Sequence, residues 1–251
     1  SPRPRAERSC ADCYNERITA RFARNDDGRD MKENGNLNAK RVTVLTGHYG
    51  SGKTSLAVNW ALRLSESGRA VTVADLDIVN PYFRTTDRRR ELEARGIRLI
   101  ASQFANSNLD LPALPAELYS VVESREGYAV LDVGGDDRGA VALGRYAPFL
   151  LAEADYEMLF VVNFCRPLTR TALEALGVLR EVEAACGLAA TALVNNSNLG
   201  RETTANTVLK TVERMQELSQ LAGLPVKMTA VSRELKDQLD GSIENLFPMD
   251  L

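Results

Sequence analysis

The sequence predicts an α/β protein: a three-layer, doubly wound, mostly parallel sheet of about seven strands with a phosphate-binding loop after the first of them. Two observations carry this. From Arg41 onward, short β-branched apolar runs alternate with longer helical patterns, and the runs are near-continuously apolar, as strands covered on both faces should be. Between the first run and the first helical pattern stands the glycine-rich segment Gly47-His48-Tyr49-Gly50-Ser51-Gly52-Lys53-Thr54.

Taken in order, the strand candidates are Val42 to Thr46, Ala70 to Asp75, Ile97 to Ala101, Tyr128 to Val133, Glu157 to Asn163, Ala190 to Asn195 and Val226 to Val231. Lys53 to Ser67 places Leu56, Trp60 and Leu64 on one helical face and stops at Gly68. Leu168 to Cys186 and Glu202 to Ala222 repeat the pattern and stop at Gly187 and Gly223. Asp87 to Arg95 reads as a solvated helix face in which Glu91 and Glu93 balance the arginines, with a grip on an anionic partner as the alternative. Leu246 to Leu251 reads as the start of an apolar edge element. Right-handed crossovers put every strand's C-terminal end on one edge, where ligands of such sheets bind.

Residues 1–40 read differently. Ser1 to Asp30 holds seven Arg, six Asp or Glu, and no Leu or Val, which predicts a disordered N-terminal extension before a domain at 41–251. Cys10 and Cys13 form a pair with no second pair or local histidine to complete a zinc site. The chain of 251 residues has a net charge of −3, which gives no reason to expect a nucleic-acid or anionic-membrane partner. No signal or spanning segment stands out, and four cysteines make a reducing, cytoplasmic setting the expectation.

The segment from Gly47 to Thr54 fits the phosphate-loop pattern and lies between a predicted strand and a predicted helix, as the mechanism requires. Glycines let the backbone turn the N–H groups of Gly50 to Thr54 toward phosphates, and the following helix adds the positive end of its dipole. Lys53 reaches the terminal phosphates and the Thr54 hydroxyl ligates Mg²⁺, so Gly47, His48, Tyr49, Gly50, Ser51, Gly52, Lys53, Thr54 and the adjoining Ser55 are the predicted nucleotide-binding loop. Asp132 ends the apolar run Ala129 to Leu131 and is the expected magnesium partner; Val133-Gly134-Gly135 follows as a segment able to rearrange with the γ-phosphate. Asp75 and Asp77 leave the second strand two residues apart on one side, where one of them can orient water or cap a turn. After the sixth strand, Asn195-Asn196-Ser197-Asn198 lacks the carboxylate that guanine readers place there. Neutral amides of Asn196 and Asn198 suit adenine, so ATP is expected over GTP.

Together, Gly47 to Thr54, Asp75-Leu76-Asp77 and Asp132-Val133-Gly134-Gly135 resemble the MinD/ParA (CobQ/CobB-type) branch of the P-loop NTPases over roughly 41–231. The resemblance implies an ATP-dependent switch: two subunits sandwich two ATP molecules, control an unidentified partner or cargo, and part on hydrolysis. It makes Asp77 the residue that activates the attacking water and Asp75 its neighbour near the magnesium shell. Val161 to Pro167 resembles the segment that turns beside the active site, where Arg166 either acts directly or caps a strand end. The early loop lysine of MinD and ParA proteins is replaced by His48, MinD's basic C-terminal membrane helix has no counterpart in the acidic run 240–251, and the late Cys-x-x-Cys of the iron–sulfur carrier relatives is absent. Two other readings stay open: an ATP-dependent ligase or kinase-type enzyme on a small acid, like the dethiobiotin synthetase relatives, and a DNA-associated partition protein, against which the acidity counts.

Overall fold

The computed structural model describes residues 39–76, 85–101, 119, 121, 126–135, 137–153 and 155–250. Eight strands form one sheet: β1 Val42–Thr46, β2 Val71–Leu76, β3 Arg98–Ala101, β4 Tyr128–Val133, β5 Tyr156–Val162, β6 Ala192–Asn195, β7 Val226–Ser232 and β8 Leu246–Met249. Their order is β3-β2-β4-β1-β5-β6-β7-β8, and every pairing is parallel. The seven expected strands are present. The eighth is the apolar edge element at the C-terminal end, registered on β7 from Thr229↔Leu246 to Ser232↔Met249.

β1 is central and all five of its residues are buried. Its side chains alternate with the period of two that a strand imposes. Val42 and Val44 join one core cluster with Leu131, Met158, Leu143 and Leu150; Leu45 joins the opposite cluster with Leu56, Trp60, Leu64 and Val161. Because β4 and β5 flank β1 on its two sides, the chain leaves the centre of the sheet in both directions and a crevice opens beyond the C-terminal end of β1. The glycine-rich loop fills that position.

Helices among the described residues include α1 Lys53–Ser65, α2 Thr85–Ala94, α3 Asp137–Gly144, α4 Ala147–Glu153, α5 Ala172–Cys186, α6 Ala205–Ala222 and the short α7 Lys236–Leu239. α5 begins four residues later than the apolar pattern suggests. Thr171 caps it by accepting from Glu174 N while the Glu174 side chain answers back to the Thr171 N–H. Thr204 and Thr207 do the same for α6. Both helices stop at the expected glycines, Gly187 and Gly223, each left-handed.

α1 is fixed to the sheet by polar as well as apolar contacts. Trp60 Nε1 donates to Thr43 Oγ1 at 3.1 Å, and Thr43 Oγ1 donates to Glu157 Oε1 at 3.1 Å. Lys227 pairs with the same carboxylate and lies 5.4 Å from the Trp60 ring centroid; Phe247 of β8 meets that ring edge-on at 5.6 Å. Two turns after the loop, Asn59 Nδ2 donates to the Asp250 carbonyl at 3.1 Å and Asn59 Oδ1 accepts from Asp250 N at 2.9 Å.

Candidate nucleotide-binding site

The loop 47–52 leaves β1 and closes on itself through Ser51 N donating to His48 O at 3.1 Å. Gly52 caps α1 at φ 84° and, having no side chain, makes no side-chain cap hydrogen bond; a helix start of this kind suits an anion. Glycine is required there twice over. Its φ is left-handed, and a Cβ would fall 2.3 Å from Asn196 Nδ2.

Lys53 is buried at 6% exposure, and its Nζ donates to Gly47 O at 3.1 Å and His48 O at 3.2 Å. The ammonium is thereby held inside its own loop. Thr54 Oγ1 donates to Asp132 Oδ2 at 2.5 Å, and Asp132 is 1% exposed. Asp75 on β2 is the register partner of Asp132 on β4, so the two buried carboxylates project from the same sheet face on adjacent strands. A hydroxyl and paired carboxylates are the hard oxygen donors that Mg²⁺ takes alongside substrate phosphates. Among the described residues no cluster of three or more His, Cys, Asp or Glu stands ready to hold a metal by protein groups alone. The segment after β4 lies directly on the loop: a Cβ at Gly135 would meet Tyr49 N at 2.5 Å and Lys53 Nζ at 2.8 Å.

His48 Nδ1 lies 3.0 Å from the Tyr49 carbonyl oxygen. A carbonyl can only accept, so Nδ1 carries the proton in this contact. Tyr49 is 64% exposed, Gly50 and Ser55 are exposed, and the Ser55 carbonyl accepts from Asn59 Nδ2 at 2.9 Å.

After β6, Asn196 is buried at 2% exposure and its Nδ2 donates to Ser51 O at 2.7 Å, spanning 145 residues of sequence. Asn198 Nδ2 donates to Asn196 O at 2.8 Å while its Oδ1 accepts from Gly200 N at 3.2 Å. These amides therefore shape the loops. A cavity at the C-terminal ends of β6, β7 and β8, lined by Asn198, Thr203, Val208, Ala230, Ser232 and Met249 among others, contains no carboxylate in its lining.

Two residues that pattern reading does not single out for binding organise this edge. Asn163, 1% exposed at the end of β5, accepts on Oδ1 from Cys165 N at 2.9 Å and Asn198 N at 3.2 Å, and donates from Nδ2 to Asn198 O at 3.2 Å. Thr169 Oγ1 donates to Asn163 O at 2.8 Å. The available signal was a polar residue ending an otherwise apolar strand. Arg166 reaches back across the crevice and its Nε donates to Gly50 O at 3.1 Å. Burial pushes the thiols of Cys165 and Cys186 above their ordinary range, which makes neither a thiolate nucleophile.

Asp77, the run from Asn80 to Arg84 and the Cys10 and Cys13 pair lie outside the described residues. α2 is present where the arginine-rich run predicts a helix, and Arg89 pairs with Glu93 at 2.7 Å between side chains that are both exposed, as on a solvated face. Among the described residues no helix is long and apolar enough to cross a membrane.

No family model matches the chain, and no curated protein matches it in sequence. Solved structures do. The chain is similar to the cell division protein FtsY of Thermotoga maritima, with a TM-score of 0.52 and 18% identity over 84% of this chain and 68% of that one. It is similar to FtsY of Mycoplasma mycoides, with a TM-score of 0.52 and 17% identity over 88% of this chain and 70% of that one. It is also similar to the signal recognition particle 54 kDa protein of Aeropyrum pernix, solved in complex with GDP, with a TM-score of 0.52 and 14% identity over 87% of this chain and 47% of that one. None of the three is named as a MinD/ParA protein; what the chains share at such identities is the architecture, and that architecture is the P-loop NTPase fold.

Proposed function

We propose that this chain is a Mg²⁺-dependent P-loop ATPase acting as a nucleotide-controlled dimerisation switch for a protein partner or cargo, with residues 41–251 as the nucleotide-binding domain and 1–40 as an extension to it. The observation that carries the reading is the Thr54 to Asp132 contact beside Lys53, in a loop whose helix start has no side-chain cap. In it, the loop N–H groups and Lys53 bind and orient the phosphates, Thr54 and Asp132 hold Mg²⁺ with Asp75 beside them, and Asp77 removes the proton from the attacking water. Mg²⁺ supplies neutralisation of charge on the transferring phosphoryl group. Gly135 against Tyr49 and Lys53 gives the segment after β4 a position from which a terminal phosphate would displace it. Exposed Tyr49, Leu168 and Leu199 on the loops at this sheet edge suit a face that meets another protein.

Adenine is favoured because Asn195-Asn196-Ser197-Asn198 offers neutral amides and no carboxylate to accept guanine's paired N–H groups. The second reading is GTP, which the GDP bound to the Aeropyrum pernix protein favours. Light scattering on Asp77→Ala with Mg²⁺-ATP, Mg²⁺-GTP or no nucleotide separates them. Doubling of mass with ATP alone is the expected result. Doubling with GTP alone transfers the switch to guanine, and a constant monomer in all three rejects the dimerisation switch.

A further inference from the structure

We propose that Arg166 is a phosphate-clamping residue of this site, supplying in cis a second cation to the loop beside Lys53. The assignment rests on the nucleotide-binding reading above. His48 turns its Nδ1 onto the Tyr49 carbonyl oxygen at 3.0 Å. Arg166, by contrast, is permanently charged and keeps donors in hand. Its Nε donates to Gly50 O at 3.1 Å, and a Cβ built on Gly50 would meet Arg166 Nε at 3.5 Å, Cδ at 3.8 Å and Cζ at 3.9 Å. The guanidinium therefore lies against the loop residue whose N–H begins the predicted phosphate cradle. Among the described residues neither Nη group has a hydrogen-bond partner and no carboxylate forms an ion pair with them.

The backbone holds the arginine in place from both sides. Arg166 N donates to Asn163 O at 3.1 Å and Arg166 O accepts from Thr169 N at 3.4 Å, closing a turn around Pro167 and Leu168. Leu168 sits at φ 67°, a left-handed conformation that disfavours leucine, and its side chain is 62% exposed. Burial of that side chain does not repay the strain. The turn instead fixes where Arg166 starts, Gly50 fixes where it ends, and strain retained at such a place is a mark of a functional site.

The test compares Arg166→Ala, Arg166→Gln and wild type for Mg²⁺-ATP affinity, kcat and melting temperature. Glutamine can still donate to the Gly50 carbonyl but carries no charge. The expected result is a loss of about 100-fold in kcat/KM for both variants, the size typical of one removed donor to a reacting oxyanion, with unchanged melting. Millimolar guanidinium chloride restores part of the activity of Arg166→Ala. Mixing Arg166→Ala with Lys53→Ala restores none, because the clamp acts on its own subunit's nucleotide. A fully active Arg166→Gln reduces the residue to a loop tether and overturns the assignment; complementation in the mixture overturns its cis placement. If wild type binds and hydrolyses ATP and both variants match it, this inference fails alone. If wild type binds no nucleotide, the function proposed above fails and takes this inference with it.

Discussion

Replacing Asn196 separates a base-reading role from a loop-clamping one. The side chain is 2% exposed and its Nδ2 donates to the Ser51 carbonyl at 2.7 Å, pressed against Gly52. Asn196→Ala deprives that carbonyl of its donor in a place water does not reach, which costs about 1–3 kcal/mol. For a domain of this size each kcal/mol lowers the melting temperature by about 2–4 °C, so a fall of about 2–12 °C is expected. Asn196→Asp, the change that would imitate a guanine-reading carboxylate, is expected to be worse. It brings an oxygen where an N–H stood and buries a charge without a partner. Burial raises the folded pKa of the introduced carboxyl above its unfolded value of about 3.9. The penalty is therefore small below that value, grows as pH rises toward the folded pKa, and is complete above it. Thermal melts at pH 5 and pH 8, with nucleotide titrations on the same samples, measure both effects. Melting of Asn196→Ala within about 1 °C of wild type, with normal nucleotide binding, would refute the clamp.

Gly135→Ala forces a methyl group against Tyr49 N and Lys53 Nζ, so single-turnover hydrolysis should slow by at least about tenfold while the fold survives, a loss of about 1.4 kcal/mol or more in transition-state stabilisation. Asp132→Asn weakens attraction for Mg²⁺ and its waters, and the Mg²⁺ midpoint for ATP turnover should rise; an unchanged titration removes Asp132 from the metal's surroundings. Leu168→Gly relieves a left-handed leucine at an exposed position and should stabilise by roughly 0.5–1 kcal/mol in urea unfolding, after the extra freedom glycine gives the unfolded chain. Tyr146 is fully buried, its hydroxyl has no hydrogen-bond partner among the described residues, and burial above all, with Tyr119 adding, pushes its pKa up to about 12. Since the folded value lies above the unfolded one near 10, the phenol's contribution is intact below pH 10 and is lost as pH rises to 12, about 2–3 kcal/mol in all. Tyr146→Phe should flatten stability over that window in pH-dependent unfolding.

The parts legible in the sequence are those whose cause is local. The loop from Gly47 to Thr54 writes its glycines and lysine side by side, and β1 and β5 announce themselves because both faces of each are buried. Gly187 and Gly223 end α5 and α6 because a left-handed C-cap is a property of one residue. Helices α3 and α4 escaped notice: they are 8 and 7 residues long, interrupted by Gly139, Gly144 and Pro148, too short for a helical period to repeat. Asn196 and Asn198 drew attention for the right stretch of chain, but nothing local tells an amide that faces a base from one that grips Ser51 across 145 positions. Asn163 and Arg166 are the same case. Their partners Asn198 and Gly50 are brought near by the crossover order of the strands, which is a property of the whole sheet.

Trp60 is the chain's one tryptophan and it belongs to the helix that begins with Lys53 and Thr54. Its indole is bonded to Thr43 of β1, faces the edge of Phe247 and lies near the Lys227 ammonium. Indole emission is sensitive to nearby charge and to the loss of a hydrogen bond, so the molecule carries an internal optical gauge on the rod that supports its phosphate loop. A ligand that pulls α1 by a fraction of an ångström against β1 and β8 should move the emission maximum, whereas one that binds elsewhere should leave the spectrum still.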